Sequence, residues 1–284
     1  MLSMSDELIL KLSCPDRPGI VRAVSGAITE LGGNIVESQQ FGDTSSGNFH
    51  MRVETERIAD PAGFRNRMQT MGDALEMSWE INRKDRKIRT VILASKEAHC
   101  LSDLLYHTKE GKIPIEVSAV VSNHEVLRFF FYFYGVPFIY IPVTKDAKPE
   151  AEATLLDVIE KTEAELVVLA RYMQVLSDRV CQAMAGRIIN IHHSFLPSFK
   201  GARPYAQAHA RGVKLIGATA HYVTPDLDEG PIIEQDVVRV KPSDSVEELV
   251  AQGEDVERRV LTRAVRWHAE HRVLLNGTST VVFA

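Results

Sequence analysis

Short apolar runs in the second half of the chain constrain its fold more than any other feature. TVILA (90–94), LVVLA (166–170) and RIINI (187–191) alternate with segments of helical periodicity. Uninterrupted apolar runs of this length are typical of strands buried on both faces, and their alternation with helices is typical of a parallel sheet. The sequence therefore predicts an α/β domain with a Rossmann-like, mostly parallel sheet.

The first part of the chain has a different order of elements. A short apolar run at 8–14 precedes a helix that ends near Gly32, and Pro18 suits the first turn of that helix. Two strand-like runs, a helical stretch and a last short strand follow at 34–42, 48–56, 61–71 and 75–81. The order is βαββαβ, which is the ferredoxin-like arrangement.

The turns of this first part carry a family resemblance. DRPGI (16–20) and GGNI (32–35) resemble the corresponding turns of the ACT domain, a small regulatory module that senses amino acids. The resemblance implies a homo-oligomer with an effector site between paired domains, for a small amino acid such as glycine or methionine. The implied effector-binding residues are Asp16, Gly19, Ile20 and Asn34. The alternative is that these residues only shape a helix start and a tight turn.

A basic hydrophilic run, NRKDRKIR (82–89), separates the two patterns. Such a run is typical of a linker between domains. We therefore expect an ACT regulatory domain at 1–81, this linker at 82–89, and a catalytic domain at 90–284.

The charge balance narrows the class of function. The chain of 284 residues has 33 Lys and Arg against 38 Asp and Glu, a net charge of -5, which is opposite to the basic face that nucleic acid requires. Neither a signal-peptide pattern nor a membrane-spanning apolar run is present in the sequence. The three cysteines lack CxxC spacing. We expect a cytoplasmic protein that acts on a small molecule, without nucleic-acid or membrane partners.

The segment RIINIHHSFLPSFKG (187–201) contains the strongest candidates for chemistry. Asn190 and His192 are two residues apart on a predicted strand, so both side chains point to one face. A loop rich in proline and glycine follows, and ligands of open α/β sheets bind outside the carboxyl ends of strands. An amide donor and a titratable ring are therefore expected at the usual place for a site.

A second segment, GATAHYVTPDLDEGPIIEQ (217–235), predicts two strands joined by an acidic loop with Asp226 and Asp228. Acidic loop residues alone usually form turns or face solvent. A metal site is the alternative, with His192, His193, His221 and Asp228 as ligands. Adjacent strand residues face opposite ways, so His192 and His193 need a bend to bind one ion. No metal is expected.

The two segments together resemble the formyltransferase superfamily that uses 10-formyltetrahydrofolate. NIHHSFLPSFKG matches its N-x-H-x-S-x-L-P motif, and DLDEG is similar to its acidic loop. The resemblance implies that Asn190, His192 and Asp228 are the catalytic triad, whereas Asp226 has no counterpart. ARYMQVLS (170–177) resembles the segment that holds the pterin ring. The implied folate-binding residues are Met173, Val175, Leu176, Val223 and Gly230.

The acceptor of the formyl group depends on a further segment. Transferases that formylate glycinamide ribonucleotide have a glycine-rich loop after their first strand, which holds the substrate phosphate. Residues Ser95 to Cys100 contain no glycine, so water is the expected acceptor. ASKEAHCLSDLLY and the pair His192 and His193 also resemble the hydrolytic branch, which implies formate release for purine biosynthesis and no cofactor beyond the folate. The alternatives are transfer to a small amine and an inactive amino-acid sensor.

Overall fold

The computed structural model describes residues 7–129, 134–197 and 204–284. The described residues up to Arg86, together with Glu270–Ala284, form one compact unit, and Lys87–Ala269 form a second. The catalytic domain was expected to run from 90 to 284, so the place of the last segment in the first unit corrects that boundary. Most of the expected linker is a strand end, a short turn and the first residues of the next strand.

The first unit has the predicted βαββαβ order. Its elements are β1 (Leu8–Pro15), α1 (Ile20–Glu30), β2 (Asn34–Asp43), β3 (Asn48–Glu56), α2 (Pro61–Leu75) and β4 (Ser78–Arg83). The strands form an antiparallel sheet in the order β2-β3-β1-β4. α1 begins after Gly19, whose φ of 99° is readily adopted only by glycine. Pro18 therefore precedes the helix instead of lying in its first turn.

The second unit confirms the predicted α/β fold with a mostly parallel sheet. Its elements are β5 (Ile88–Ala94), α3 (His99–Lys109), β6 (Ile115–Ser122), β7 (Phe138–Tyr140), α4 (Lys148–Lys161), β8 (Leu166–Leu169), α5 (Asp178–Ala183), β9 (Ile188–His192), α6 (Pro204–Arg211), β10 (Leu215–Tyr222), β11 (Ile232–Arg239) and α7 (Val246–Ala269). The strand order is β11-β10-β9-β8-β5-β6-β7. β5 to β9 are parallel, and β10 is antiparallel to both of its neighbours.

The sequence from Ser245 predicts a helix with a capping box between Ser245 and Glu248, and its periodicity predicts that Leu249, Val250, Val256, Val260 and Ala264 face the core. Helix α7 has this capping box. The backbone N–H of Ser245 donates to Glu248 Oε2 at 2.7 Å, and the N–H of Glu248 donates to Ser245 Oγ at 3.2 Å. Of the residues expected to face the core, Val250 is 37% exposed, which corrects that expectation. The remaining four are buried: Leu249, Val256, Val260 and Ala264. Glu257 lies among them on the apolar face, 1% exposed.

A hairpin made of β12 (Val273–Asn276) and β13 (Ser279–Val282) completes the first unit. The buried Arg52 of β3 donates to the backbone oxygen of Glu270 at 3.1 Å and to Glu37 Oε2 at 2.7 Å. These bonds join the segment before the hairpin to the four-stranded sheet. In the part of the chain that the structure covers, no helix combines the length and apolar character that crossing a bilayer requires.

Candidate active site

The end of β9 and the loop between β10 and β11 bring three predicted residues together. Asn190 and His192 both come from β9, and Asp228 comes from the loop, where its φ of 58° is one that Asp tolerates better than most residues. All three side chains line one cavity, called here the triad cavity. It opens beyond the carboxyl ends of β8 and β9, where ligands of open α/β sheets bind.

Asp228 and His192 form the central pair of the site. His192 Nδ1 lies 3.3 Å from Asp228 Oδ2, and both side chains are largely buried. This hydrogen bond is the main reason that the pKa of Asp228 is lowered, and burial, which acts in the opposite direction, does not offset it. Asp228 is therefore an ionised carboxylate that fixes the orientation of the His192 ring.

The other nitrogen of His192 is the one free for chemistry. Nε2 is buried and has no hydrogen-bond partner within the described residues. A buried polar nitrogen without a partner is rare in folded proteins, and such groups are frequent at catalytic sites. With its Nδ1 held by Asp228, the ring can offer Nε2 to a ligand in the triad cavity.

His221 is a residue of the site that sequence reasoning had considered only as a metal ligand. It lies opposite Asn190 in the pairing of β10 with β9. Its Nδ1 is 2.9 Å from the backbone oxygen of Tyr222, so Nδ1 carries the proton, and burial lowers its pKa so that the ring is neutral. Nε2 then accepts from Asn190 Nδ2 at 3.2 Å. His221 therefore orients the Asn190 amide.

The signal that could have identified His221 is the antiparallel pairing of β10 with β9. Local sequence patterns cannot show this pairing, because α6 lies between the two strands in the chain.

Four of the five predicted folate-binding residues line the triad cavity: Met173, Val175, Leu176 and Val223. Met173 and Val175 are each 54% exposed, so both side chains are accessible to a ligand in the cavity. Gly230 does not line it. A Cβ at Gly230 would collide with the backbone oxygen of Tyr222, so this glycine allows the close return of the acidic loop.

The predicted effector residues are not brought together within one chain. Asp16 and Gly19 are exposed near the end of β1, whereas Asn34 starts β2, where it donates to Glu56 Oε1 at 3.0 Å. β3 separates these two ends, because Asn48 pairs with Pro15 and Glu56 pairs with Asn34. Its length between them is about 27 Å. Ile20 is 2% exposed and belongs to the core.

One cluster in the second unit has side chains of the metal-binding type. Ligand atoms of His99, Cys100 and Glu257 lie within 4.8 Å of one another. However, Glu257 already accepts hydrogen bonds from His99 and Tyr205, and burial raises the pKa of the Cys100 thiol well above its usual value. The carboxylate of Glu257 is therefore already occupied by donors of the fold itself.

The chain bends at His193, directly after β9, so the His193 ring does not face away from the His192 ring as it would on a continuing strand. β9 ends at His192, and the two imidazole rings stack with centroids 5.3 Å apart and an interplanar angle of 29°. Both rings line the triad cavity.

Comparison with known proteins assigns both units. The model of the formyl transferase family matches residues 88–265, and that of the ACT domain matches residues 8–71. A formyltetrahydrofolate deformylase from Corynebacterium sp. (strain P-1) is 48% identical over 98% of this chain and 99% of its own length. The crystal structure of a formyltetrahydrofolate deformylase from Pseudomonas syringae pv. tomato is 45% identical, with a TM-score of 0.95 over 100% of this chain and 96% of that chain.

Similarity to transferases is more limited. Glycinamide ribonucleotide transformylase 1 from Symbiobacterium toebii is 32% identical with a TM-score of 0.65, and the match covers 70% of this chain and 95% of that one. The two relatives that match almost the whole chain are named deformylases, whereas the transformylase matches only part of the chain.

Proposed function

The chain belongs to the formyltetrahydrofolate deformylase family, and we propose that it hydrolyses 10-formyltetrahydrofolate to formate and tetrahydrofolate at a site formed by Asn190, His192 and Asp228. The observation that carries the proposal is the arrangement of His192. Its Nδ1 faces the Asp228 carboxylate, and its buried Nε2 has no partner in the described chain. Such a ring is oriented to act on a ligand in the triad cavity.

The roles of the three residues follow from the charge that develops during hydrolysis. When water attacks the formyl carbon, negative charge builds on the formyl oxygen. Asn190 uses one amide hydrogen on His221, so its second is available to that oxygen. His192 Nε2 supplies a donor to the same oxygen and a proton to the leaving N10. Ionised Asp228 keeps the ring in this orientation.

The overall reaction balances without a redox partner or a metal ion. The water oxygen forms a bond to the formyl carbon, and the bond from that carbon to N10 breaks. In the net reaction one proton of water ends on N10, and the other is released to solvent. Formate and tetrahydrofolate leave the site, and the catalytic groups return to their starting protonation.

The segment after β5 supports water as the acceptor. Ser95 Oγ donates to Asn123 Oδ1 at 2.7 Å and accepts from the backbone N–H of Met173 at 3.0 Å. Cys100 is fully buried. Side chains thus hold this glycine-free segment in place, whereas a phosphate-bearing acceptor requires exposed backbone N–H groups. We propose that Met173, Val175, Leu176 and Val223 contact the folate.

The direct experiment gives the purified protein 10-formyltetrahydrofolate without any amine. Formate and tetrahydrofolate should appear in equal amounts, measured with a formate dehydrogenase assay and by absorbance. Formyl transfer that requires an added small amine would support the transferase alternative. No reaction under either condition would support the inactive amino-acid sensor.

We also propose that a small amino acid regulates the enzyme through a site shared by two copies of the first unit. The separation of Asn34 from Asp16 along β3 supports a shared site, because one copy does not bring these residues together. Glycine and methionine should change the rate of formate release, and Asn34→Ala should weaken that response. Light scattering should give the mass of a dimer or larger assembly, and a monomer that still responds to either amino acid would contradict the shared site.

We further propose that the enzyme acts in the cytoplasm. Cys14, Cys100 and Cys181 are all buried free thiols, which suits a reducing compartment. Fractionation of the native cells, followed by detection of the protein, tests this point.

A further inference from the structure

A buried charge cluster lies beside the triad cavity and has no part in the chemistry described above. Its centre is Glu257 of α7, which is 1% exposed. His99 Nε2 lies 2.8 Å from Oε2, Tyr205 Oη donates to Oε1 at 2.5 Å, and Arg171 Nε lies 3.4 Å from Oε2. Burial alone would raise the pKa of Glu257, but the hydrogen bond from His99 and the charge of Arg171 outweigh it and lower that pKa. Glu257 is therefore an ionised anchor.

Arg171 connects this cluster to the triad cavity. It follows β8 with a φ of 63°, in the left-handed region that few non-glycine residues adopt. Its side chain is 13% exposed and ion-paired with Glu257, and the residue also lines the triad cavity. Nε and Nη1 are buried and lack a hydrogen-bond partner among the described residues. A strained backbone and unpaired donors at a cavity wall indicate a functional site.

His193 lines the same cavity as Arg171 and His192 and is close enough to feel the charge of both. Its ring stacks on that of His192 and is 6.4 Å from the ring of Tyr205. Burial lowers the pKa of His193 to about 4, and the charge of Arg171 acts in the same direction. The ring is therefore neutral near pH 7, with one ring nitrogen that can only accept a hydrogen bond. Arg171 in turn can only donate.

We propose that Arg171 and His193 hold the attacking water and so make water, instead of an amine, the acceptor of the formyl group. This inference rests on the proposed hydrolysis. The water accepts a hydrogen bond from the Arg171 guanidinium and donates one to the unprotonated nitrogen of His193. Its second lone pair remains directed at the formyl carbon. A pre-positioned nucleophile of this kind replaces a bimolecular encounter with an oriented one.

The proton balance of the step follows from the same arrangement. As the water oxygen bonds to the formyl carbon, one water proton passes to His193. His192 gives its proton to N10 as the bond between carbon and N10 breaks, and it recovers a proton from the formic acid formed. His193 then releases its proton to solvent. The net products are formate, tetrahydrofolate and one proton.

The variant His193→Ala tests whether His193 holds the attacking water or only supports the fold. Formate release should fall about 100-fold, while tetrahydrofolate affinity, measured by calorimetry, should change less than about threefold. With hydroxylamine added, the ratio of formohydroxamate to formate, corrected for the reaction without enzyme, should rise about tenfold over the wild type, because water no longer holds its preferred place. His209→Ala, at an exposed position of α6, is the matched histidine control and should leave the rate and the ratio unchanged.

Two further variants keep the proposal testable if His193→Ala does not fold. His193→Gln retains a hydrogen-bond acceptor but cannot take up the water proton, so its rate of formate release should lie between those of the wild type and His193→Ala. Arg171→Lys retains the charge but not the fork of donors, and its rate should fall about tenfold. Wild-type rate and product ratio in His193→Ala, or in Arg171→Lys where His193→Ala is unfolded, would overturn the water site. A wild-type protein that releases no formate would instead overturn the proposed function.

Discussion

Asp228 and Glu257 are both carboxylates held by histidine side chains, yet their surroundings differ. Glu257 comes from the regular helix α7 and is 1% exposed, and both of its oxygens have hydrogen-bond donors. Asp228 lies in a loop with a φ of 58°, and its side chain is 12% exposed. Its partner His192 keeps a ring nitrogen without a hydrogen-bond partner in the described chain. A fully paired buried carboxylate thus stabilises the structure, whereas an incompletely paired one at a cavity is suited to chemistry.

The largest effect should come from removing the ring that Asp228 orients. His192→Ala should lower kcat for formate release by about 10³-fold, because both the oxyanion donor and the proton for N10 are lost. Tetrahydrofolate binding, measured by calorimetry, should weaken only modestly. A variant with near-normal kcat would remove His192 from the catalytic assignment and with it the contrast between the two carboxylates.

Substitutions of the two carboxylates should differ most clearly in their effect on the free energy of unfolding. Glu257→Gln leaves the buried Arg171 without its counter-ion, so the free energy of unfolding should fall by about 3 kcal/mol. Asp228→Asn should change it by less than about 1 kcal/mol, because active-site residues are not selected for stability. The same Asp228→Asn variant should lose about 100-fold in kcat. Urea titrations on both variants test this difference in stability, which equal losses would contradict. A formate assay tests the loss of kcat in Asp228→Asn.

Gly253 allows Tyr205 to reach Glu257. A Cβ at this position of α7 would collide with the Tyr205 ring, one helical turn before Glu257. Gly253→Ala should therefore lower the free energy of unfolding by about 2 kcal/mol, although alanine favours a helix. Gly26→Ala in α1 is the control, because a Cβ there meets nothing within 4 Å. The control should be neutral or stabilising, and a neutral Gly253→Ala would show that Tyr205 can move without cost.

The smallest expected effect is a loss of folding stability at acidic pH that comes from His193. The pKa of His193 in the fold is about 4, below the usual 6.5, so the unfolded chain binds a proton that the folded chain excludes. Stability from this group is complete above pH 6.5 and is lost as the pH falls toward 4. Between pH 7 and 4.5 the wild type should lose on the order of 1 kcal/mol more than His193→Gln. Equal losses in urea titrations at the two pH values would show that His193 is already protonated in the fold.

Sequence reasoning located the candidate site where local patterns were sufficient. The spacing of Asn190 and His192 on β9 was enough to place both on one face, and DLDEG pointed to Asp228. The orienting role of His221 was missed because its partner Asn190 is on another strand, and the role of Arg171 was missed because nothing local relates the end of β8 to α7. Glu257 left one visible signal, a charge on the apolar face of α7 beside Val256 and Val260.

Local sequence patterns also could not show that the last segment of the chain, Glu270–Ala284, belongs to the first unit. Asn276 and Gly277 between two apolar runs are a typical hairpin signal, and β12 and β13 could have been predicted from it. That this hairpin belongs with the first unit depends on contacts such as Arg52 with the Glu270 backbone. Such contacts join residues far apart in the chain, so periodicity cannot indicate them.

The step on which the residue roles depend is the transfer of the formyl group to water at the Asp228 site. It is tested most directly by supplying 10-formyltetrahydrofolate in ¹⁸O-labelled water and measuring the formate by mass spectrometry. We expect formate with one labelled oxygen, formed without an amine by the wild type and about 100-fold more slowly by Asp228→Asn. Formate without label, or an unchanged rate in Asp228→Asn, would contradict it.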